Sequence, residues 1–406
     1  MSFLSINGGV TAPQGFCASG LHCGIRKNQS KRDLALIFSP TPCQAAAVYT
    51  QNLVQGAPIT VTRQNLANHT AQAVICNSGN ANTCNADGEQ KAKQMCEIIA
   101  KELGISPQDV IVASTGVIGQ ALPIEPIVNS AKRLAEELSP SGSHDAAQAI
   151  MTTDTVPKEA AVELTLSGKT VRIGGIAKGS GMIHPNMATM LAFLTTDAGI
   201  SPALLDEALR EAVADSFNMV SVDGDTSTND MVSILASGLA ENPVITEKND
   251  DYRAFADALT QMCMSLARMM AKDGEGATKL LECKVSGAAC VEDARKIAKT
   301  VVCSSLLKAA MFGADANWGR VLCAIGYAGA DIRIHLVEVS FVSKGGSVRV
   351  CENGAGIPFD EEIAKTVLLE DDIIIDVNLH QGSCGALAFG CDLTYDYVKI
   401  NGDYRS

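Results

Sequence analysis

Short apolar runs alternate with amphipathic segments along the whole chain, and this alternation restricts the possible folds more than any other feature. The run from Ala71 to Cys76 is typical of a buried strand. The segment from Asp87 to Leu103 places its apolar residues on one face and predicts a helix that Gly104 ends. Because both kinds of element recur throughout, the sequence predicts a layered α/β or α+β fold rather than a helix bundle or an all-β barrel.

The same patterns predict further strands and helices downstream. The predicted strands are Val110 to Ala113, two strands within Ala161 to Ile176 that meet at Ser167 to Lys169, Leu191 to Leu194, Lys279 to Val285, Val337 to Val342, Ser347 to Cys351, Asp372 to Asn378 and Ala386 to Ile400. The predicted helices are Ile124 to Leu138, Ser201 to Phe217, Tyr252 to Ala271 and Glu292 to Met311. The C-terminal third is therefore expected to be richer in strand.

The composition is that of a folded globular protein with an acidic surface. Hydrophobic residues make up 47% of the chain and charged residues 19%, which argues against disorder. There are 32 Lys and Arg against 45 Asp and Glu, so the formal net charge is −13. Such a charge repels phosphate backbones at long range, and we therefore expect no nucleic acid partner.

The cysteine and histidine spacings indicate neither a metal site nor a disulfide framework. None of the 14 cysteines lies in a C-x-x-C pair, and the six histidines show no H-x-x-x-H spacing. The segment from Met1 to Phe16 lacks the basic and apolar regions of a secretory signal, and no apolar stretch is long enough to span a membrane. We expect a cytoplasmic protein with reduced cysteines, no metal and no membrane partner.

The segment from Ala177 to Met190 is the first candidate for chemistry, because a loop of small residues leads from it into the predicted strand at Leu191. The loop contains glycines and Lys178, yet it lacks the G-x-x-x-x-G-K-[ST] order of a phosphate-binding loop. His184 could act as a general base, but a single histidine beside a proline is more often a turn or packing residue.

The hydroxyl that this loop carries to the strand is that of Thr189, and a threonine hydroxyl is a weak nucleophile without a base beside it. One chemical solution is a threonine at a chain N-terminus, whose own α-amine removes the hydroxyl proton. Thr189 is internal. This hypothesis therefore requires cleavage of the bond between Ala188 and Thr189.

The segment KGSGMIHPNMATM, residues 178–190, resembles the signature of the ornithine acetyltransferase family, the glutamate N-acetyltransferases of arginine biosynthesis. Six other segments resemble the same family in the same order along the chain. They are NSGNAN at 77–82, ASTGVIG at 113–119, MTTDT at 151–155, DGDTSTND at 223–230, KDGEGATK at 272–279 and FGADANWGR at 312–320. The resemblance therefore covers most of the chain.

The resemblance implies a self-processed protein. Cleavage before Thr189 would produce an α chain of residues 1–188 and a β chain of residues 189–406 that stay together, with two copies of each in a heterotetramer. It also implies a fold similar to that of N-terminal-nucleophile enzymes, with central β-sheets flanked by helices and a smaller C-terminal lobe.

The resemblance further implies a ping-pong acetyl transfer. Thr189 would attack the acetyl group of N-acetylornithine, hold it as an ester and pass it to glutamate. The family's oxyanion hole falls on Thr115 and Gly116, which we expect in a loop just after the strand Val110 to Ala113. No metal or organic cofactor is expected, although acetyl-CoA is a possible second acetyl donor, as in bifunctional members of the family.

The family's substrate contacts fall on residues that are far apart in the sequence. They are Thr152, Lys178, Thr189, Glu275, Asn401 and Ser406. Lys178 is a natural partner for a substrate α-carboxylate, and Glu275 could face the ornithine ammonium or an amine that loses its proton. Without the resemblance, Glu275 would be interpreted as part of a solvated turn and the C-terminal residues as a frayed tail.

Two other functions fit the same residues. An N-terminal-nucleophile amidohydrolase or aminopeptidase would pass the acyl group to water, and a non-catalytic small-molecule-binding protein would remain uncut. A metal loop at Asp223, Asp225 and Asp230 is not favoured, because Gly224 does not follow the third acidic residue as a calcium loop requires. We expect a structural or substrate-proximal loop there.

Overall fold

The computed structural model describes residues 3–184 and 190–402, which form two β-sheets flanked by helices. The mixed α/β architecture predicted from the sequence is therefore confirmed. The strands are β1 (Leu4–Ile6), β2 (Cys17–Leu21), β3 (Leu34–Tyr49), β4 (Thr70–Asn80), β5 (Val110–Val117), β6 (Lys158–Leu166), β7 (Lys169–Lys178), β8 (Leu191–Thr196), β9 (Val220–Ser221), β10 (Met231–Ala236), β11 (Leu280–Ala288), β12 (Glu338–Ser343), β13 (Gly346–Glu352), β14 (Ala355–Gly356), β15 (Asp372–Asn378) and β16 (Cys384–Cys391).

Helices cover the faces of both sheets. They are α1 (Ala57–Asn65), α2 (Gly88–Leu103), α3 (Glu125–Glu136), α4 (Ser143–Ile150), α5 (Pro202–Asp215), α6 (Asp250–Lys272), α7 (Val291–Cys303), α8 (Ser305–Phe312), α9 (Trp318–Gly326), α10 (Glu361–Leu368) and α11 (Tyr395–Gly402). Gly104 ends α2 in the left-handed conformation, as the sequence predicts for a glycine after a helix. No helix within residues 3–184 and 190–402 is long and apolar enough to cross a membrane.

The first sheet has the strand order β1-β6-β7-β8-β10-β3-β4-β5, and β2 pairs with β3. Strands β8 and β10 are parallel neighbours in its centre, with Leu191 opposite Met231, and β7 runs antiparallel to β8, with Lys178 opposite Leu191. The end of β7 and the starts of β8 and β10 therefore meet at one edge of the sheet.

The second sheet has the order β14-β13-β12-β15-β11-β16-β9 and, apart from β9, is built from residues 280–391. Helix α7 packs on its strands β11 and β16, while α6 contacts strands of both sheets. This second sheet corresponds to the C-terminal lobe expected from the family resemblance.

Helix α6 forms because its sequence satisfies each requirement of a long buried helix. The Asn249 side chain accepts a hydrogen bond from the Tyr252 N–H at the start, and Lys272 lies in the last turn, where a positive charge is favourable. Apolar residues recur at helical spacing and are buried between the layers, among them Phe255 and Leu259. The helix thereby joins the cores of both sheets.

Three sequence predictions were wrong at element boundaries. The predicted helix from Glu292 to Met311 is two helices, α7 and α8, because the Ser304 side chain accepts from the Leu307 N–H and starts a new helix. The predicted strand from Ala386 to Ile400 ends at Cys391, and its second half is α11. The predicted loop at Thr115 and Gly116 is the end of β5, because these residues pair with the end of β4.

We expect Leu259→Ala to lower the free energy of unfolding by about 2–5 kcal/mol, because it leaves a cavity in a fully buried part of α6. Urea denaturation followed by the fluorescence of Trp318, the only tryptophan, measures the change. The neighbouring substitution Gln261→Ala on the exposed face of the same helix is the control and should change stability by no more than about 0.5 kcal/mol. Equal effects of both substitutions would contradict the assigned helix orientation.

Candidate active site

One cavity of about 120 Å³ brings together six of the residues that the family resemblance selects. This volume is roughly ten times the space that one water molecule needs. The six residues are Thr115, Gly116, Thr152, Lys178, Glu275 and Asn401. Thr189 and Ser406 lie outside the described residues, whereas Met190, the next residue after Thr189, lines the cavity.

The oxyanion candidates occupy the last part of β5, where the chain is held against β4. Thr115 is paired with Ser78, and Gly116 is paired with Gly79. Gly116 has φ +132°, and a Cβ added to it would lie 2.4 Å from the carbonyl carbon of Gly79. Only glycine fits this conformation and this close approach, so the backbone at Gly116 can border the cavity without a side chain in between.

Asn229 is a polar residue that holds this part of the site together and that sequence analysis missed. Its Nδ2 donates to the carbonyl oxygens of Ala81, at 2.5 Å, and Ser114, at 3.1 Å. Its Oδ1 accepts from the hydroxyls of Thr83 and Thr228, each at 2.5 Å. The segment just before β10 is therefore bonded to the residue just before Thr115, and both N–H donors and both acceptor lone pairs of the buried amide are used.

Lys178 is the last residue of β7 and is nearly buried at the cavity wall, with 8% of its surface exposed. Its Nζ lies 3.5 Å from Thr115 Oγ1. Burial lowers the pKa of Lys178, and the charges of Asp154 and Asp230 oppose this change. The ammonium group thus sits where an incoming carboxylate would improve its electrostatic environment.

A fully buried lysine, Lys158, lies behind this wall. Its Nζ donates to Asp154 Oδ1 at 2.7 Å and to Asp273 Oδ2 at 2.6 Å. Burial alone would raise the pKa of Asp154, but the charges of Lys178 and Lys158 and the hydrogen bonds from Lys158 and the Thr152 N–H hold it below its usual range. Lys158, Asp154 and Asp273 form a buried triad. The sequence carries no local signal for this triad, because Lys158 and Asp273 are 115 positions apart.

The triad connects three segments of the cavity wall. Asp154 accepts hydrogen bonds from the backbone N–H groups of Thr152, at 2.9 Å, and Gly179, at 2.7 Å. Asp273 accepts from Thr155 N and lies two residues before Glu275. The positions of Thr152, of the Lys178 segment and of Glu275 therefore all depend on the same buried ion pairs.

Glu275 and Asn401 also line the cavity and are bonded to each other. Asn401 Nδ2 donates to Glu275 Oε2 at 2.7 Å, although α11, which carries Asn401, has no buried residue. Gly181 allows the carboxylate to approach, since a Cβ on Gly181 would lie 2.3 Å from the Glu275 carboxyl group. The C-terminal helix, which resembles a frayed tail in the sequence, is thus bonded to the site.

Asp230 is a second carboxyl group at the cavity and was not among the predicted site residues. It is 2% exposed and precedes β10. Its Oδ2 is buried and has no hydrogen-bond partner within the described part of the chain. Burial raises the pKa of Asp230 well above its usual range, and hydrogen bonds from neighbours such as Ser227 and the charge of Lys178 oppose this only in part.

In the acidic segment around Asp223, the Asp223 carboxylate binds backbone N–H groups. Asp223 Oδ2 accepts from Met182 N at 2.6 Å, and its Oδ1 accepts from Ile183 N at 2.8 Å. These bonds hold the chain just before residues 185–189, while Ser227 and Asp230 of the same segment line the cavity. These hydrogen bonds agree with the structural one of the two alternatives expected for this loop. The described residues contain no cluster of three or more metal-ligating side chains.

His184 lies on a different cavity from the one that holds the predicted site residues. Its Nδ1 is 3.2 Å from Ser221 Oγ and 3.4 Å from Cys303 Sγ. Burial and the charge of Lys299 lower its pKa to about 4. These contacts favour the packing interpretation of His184 over the general-base hypothesis.

Several known proteins are similar to this chain across the whole site. A sequence model of the ArgJ family matches residues 17–406. An arginine biosynthesis bifunctional protein ArgJ of Symbiobacterium thermophilum is 54% identical over 401 residues, which are 98% of this chain and 99% of the relative. The protein of the same name from Bacillus subtilis (strain 168) is 50% identical over 405 residues, 99% of this chain and 98% of the relative. A crystal structure of the arginine biosynthesis bifunctional protein from Bacillus halodurans is 47% identical, with a TM-score of 0.51 over 53% of this chain and 100% of that chain.

We expect Lys158→Met to lower the free energy of unfolding by about 3–5 kcal/mol, because it removes the shared partner of two buried carboxylates and leaves their charges uncompensated. Urea denaturation measures the change. Lys169→Met is the matched control, since the Lys169 side chain is 49% exposed and its ion pair with Glu241 is long, at 3.7 Å. We expect a change of no more than about 0.5 kcal/mol for the control. Equal stability of the two variants would show that the triad does not support the fold.

Proposed function

The chain belongs to the ArgJ family, and on this premise we propose that it is a self-processing acetyltransferase of arginine biosynthesis. It moves the acetyl group of N-acetylornithine to glutamate through an acetyl-threonine intermediate. The observation that carries this proposal is the convergence of Thr115, Gly116, Thr152, Lys178, Glu275 and Asn401 around one cavity, from segments as far apart as β5 and α11.

Thr189 is the proposed nucleophile. Its successor, Met190, lines the cavity, and the Met190 carbonyl accepts from the Met231 N–H at 3.1 Å, so the start of β8 is fixed beside the site. Cleavage between Ala188 and Thr189 would free an α-amine that takes the hydroxyl proton. In support, the Bacillus halodurans chain is matched over its whole length by 53% of this chain, and residues 189–406 are 218 of 406 residues, or about 54%.

Thr115 and Gly116 are the proposed oxyanion hole. When the threonine oxygen attacks the acetyl carbonyl, negative charge develops on the carbonyl oxygen, and donors already held in position stabilise it. The Thr115 hydroxyl and the Gly116 N–H can act as these donors. The hydrogen bonds of Asn229 to Ala81 and Ser114 hold this end of β5 in place before substrate binds.

The remaining cavity residues are proposed to bind the substrates. Lys178 is the only lysine or arginine lining the described cavity, so it is the proposed partner of the α-carboxylate that N-acetylornithine and glutamate share. Glu275, to which Asn401 donates a hydrogen bond, is the proposed partner of a substrate ammonium. Thr152 completes the contact set, together with Ser406 beyond the described residues.

The wider proposals follow from the family. The relatives from Symbiobacterium thermophilum and Bacillus subtilis are named bifunctional, and we extend this to the chain by proposing that acetyl-CoA also donates an acetyl group, producing N-acetylglutamate. The proposed assembly is a cytoplasmic heterotetramer of two α chains, 1–188, and two β chains, 189–406. The proposed chemistry needs no metal or organic cofactor, because the threonine, its α-amine and the oxyanion hole supply the reacting groups.

Intact-mass spectrometry of the purified protein tests the cut and the covalent step together. We expect chains of about 20 and 23 kDa, obtained by scaling 42.4 kDa by 188/406 and 218/406. Brief exposure to N-acetylornithine, and separately to acetyl-CoA, should add one acetyl group to the larger chain, and glutamate should remove it. A Thr189→Ala control should remain uncut and unmodified.

Each other outcome identifies a different function. Loss of the acetyl group to water as fast as to glutamate would favour an amidohydrolase. An uncut, unmodified chain in a folded sample would favour a binding protein. Acetylation by N-acetylornithine but not by acetyl-CoA would restrict the enzyme to acetyl recycling.

We expect Thr115→Val to slow acetylation of the enzyme by about 10²–10³-fold, because one oxyanion donor is lost while the side-chain shape is kept. The measurement is the single-turnover rate with N-acetylornithine. Thr165→Val on the exposed face of β6 is the control and should leave the rate unchanged. A Thr115→Val enzyme as fast as the control would remove the hydroxyl from the oxyanion hole.

A further inference from the structure

The unpartnered carboxyl oxygen of Asp230 is an anomaly in the cavity wall. A buried polar group without a hydrogen bond costs about 1–3 kcal/mol. Asp230 is 2% exposed, and its Oδ2 has no partner within the described residues. A buried oxygen without a hydrogen-bond partner in the wall of a ligand cavity is well suited to accept a hydrogen bond from the ligand.

The position of Asp230 restricts which part of a ligand it can meet. Asp230 directly precedes Met231, which lies opposite Leu191 in β8, and on the other side of β8 Leu191 lies opposite Lys178. Asp230 and Lys178 therefore flank the start of the same strand, and both line the cavity. Each group shifts the pKa of the other, which also indicates that the two side chains are close.

This arrangement matches the chemistry of an α-amino acid. If Lys178 binds the α-carboxylate, the nitrogen on the neighbouring carbon must lie close by. That nitrogen is the amide nitrogen of N-acetylornithine, the amine of ornithine and the amine of glutamate. Two acidic side chains line the described cavity, and Asn401 donates to one of them, Glu275. Asp230 is the one with a buried oxygen, Oδ2, that has no hydrogen-bond partner among the described residues and can receive an N–H group.

We propose that Asp230 is a catalytic residue that carries the proton exchanged with the substrate α-nitrogen in both halves of the acetyl transfer. The proposal rests on the function proposed above and assigns a residue to a step that the Thr189 α-amine does not perform. That amine moves the hydroxyl proton of the nucleophile. Asp230 instead donates or accepts the one proton that converts the substrate amine into an ammonium.

The protons balance over the two half-reactions. In the first, the threonine oxygen forms a bond to the acetyl carbon and the bond from that carbon to the ornithine nitrogen breaks. The nitrogen receives the hydroxyl proton through the α-amine and a second proton from the Asp230 carboxylic acid, so ornithine leaves as an ammonium.

In the second half-reaction, the Asp230 carboxylate takes a proton from the glutamate ammonium, the free amine attacks the ester carbon, and the bond to the threonine oxygen breaks. That oxygen takes the other proton, and Asp230 is again neutral.

The electrostatic environment of Asp230 favours a neutral resting acid. Burial raises its pKa well above the usual range. The charged group that faces it is Lys178, behind which lie Asp154 and Lys158. A carboxyl group with a raised pKa is better matched to proton exchange near neutral pH than an ordinary aspartate.

The test compares two acceptors on the same acetyl-enzyme. Cut enzyme is acetylated by prolonged exposure to N-acetylornithine, and removal of the acetyl group is followed by intact mass after adding glutamate or hydroxylamine. Hydroxylamine is already unprotonated at neutral pH and needs no proton acceptor before it attacks. We expect Asp230→Asn to slow removal by glutamate by about 10²-fold or more, while removal by hydroxylamine stays close to the wild-type rate.

Asp225→Asn is the matched control, since Asp225 is an exposed acidic residue of the same segment that does not line the cavity. It should leave both rates unchanged. An equal loss with both acceptors would assign Asp230 a structural role, and no loss with either would remove it from the reaction. Both results would overturn the proposal. A wild-type protein that is never acetylated would instead contradict the proposed function itself.

A second variant covers the case in which Asp230→Asn does not cut itself. Asp230→Glu keeps the carboxyl group but displaces it by one methylene. In cut Asp230→Glu enzyme, the ratio of the glutamate rate to the hydroxylamine rate should fall severalfold. An unchanged ratio would overturn the proposal.

Discussion

The site depends on one buried lysine. Lys158 is completely buried and bridges Asp154 and Asp273. These two carboxylates in turn bind the backbone of residues 152–155 and of Gly179, and Asp273 itself lies two residues before Glu275. A buried charge tolerates few positions, because each displacement loses Coulombic attraction that the surroundings do not replace. The triad therefore ties the relative placement of Thr152, Lys178 and Glu275 to folding, so the cavity that they line is formed without a ligand.

The first sheet explains how a cut protein could remain one molecule. Strands β8 and β10 follow the proposed cut and β3 and β7 precede it, yet β8 and β10 lie between β7 and β3 in the sheet. Cleavage between Ala188 and Thr189 would leave these hydrogen-bonded ladders intact, and separating the two chains would require the central sheet to be dismantled. The proposed cut would create an N-terminus one residue before Met190, which lines the same cavity as Lys178 and Asp230.

The two carboxyl groups at the cavity have different surroundings, which suits them to different tasks. Glu275 is bonded to Asn401 on an exposed helix, whereas Asp230 is enclosed beside the central strands and retains an unpartnered oxygen. A difference in environment between two carboxyl groups allows one to stay charged and accept hydrogen bonds while the other exchanges protons. The proposed roles follow this difference, with Glu275 binding a substrate ammonium and Asp230 exchanging a proton with the substrate nitrogen.

Local sequence patterns determined the fold class and most elements, since helical spacing, alternation and capping act within a few residues: Gly104 ends α2, and the apolar face of α6 was visible as a period. Where a short polar signal competed with an apolar run, as at Ser304 and in α11, the boundary was missed. The resemblance selected the residues that surround the cavity, but neither pattern nor resemblance indicated Lys158, Asn229 or the unpartnered oxygen of Asp230. Only the tertiary structure decided these features, because the contacts join residues that are 115 positions apart, such as Lys158 and Asp273, or Asn229 and Ser114. The burial that strengthens the interactions of these charged and polar groups also exists only once the sheets and helices have packed together.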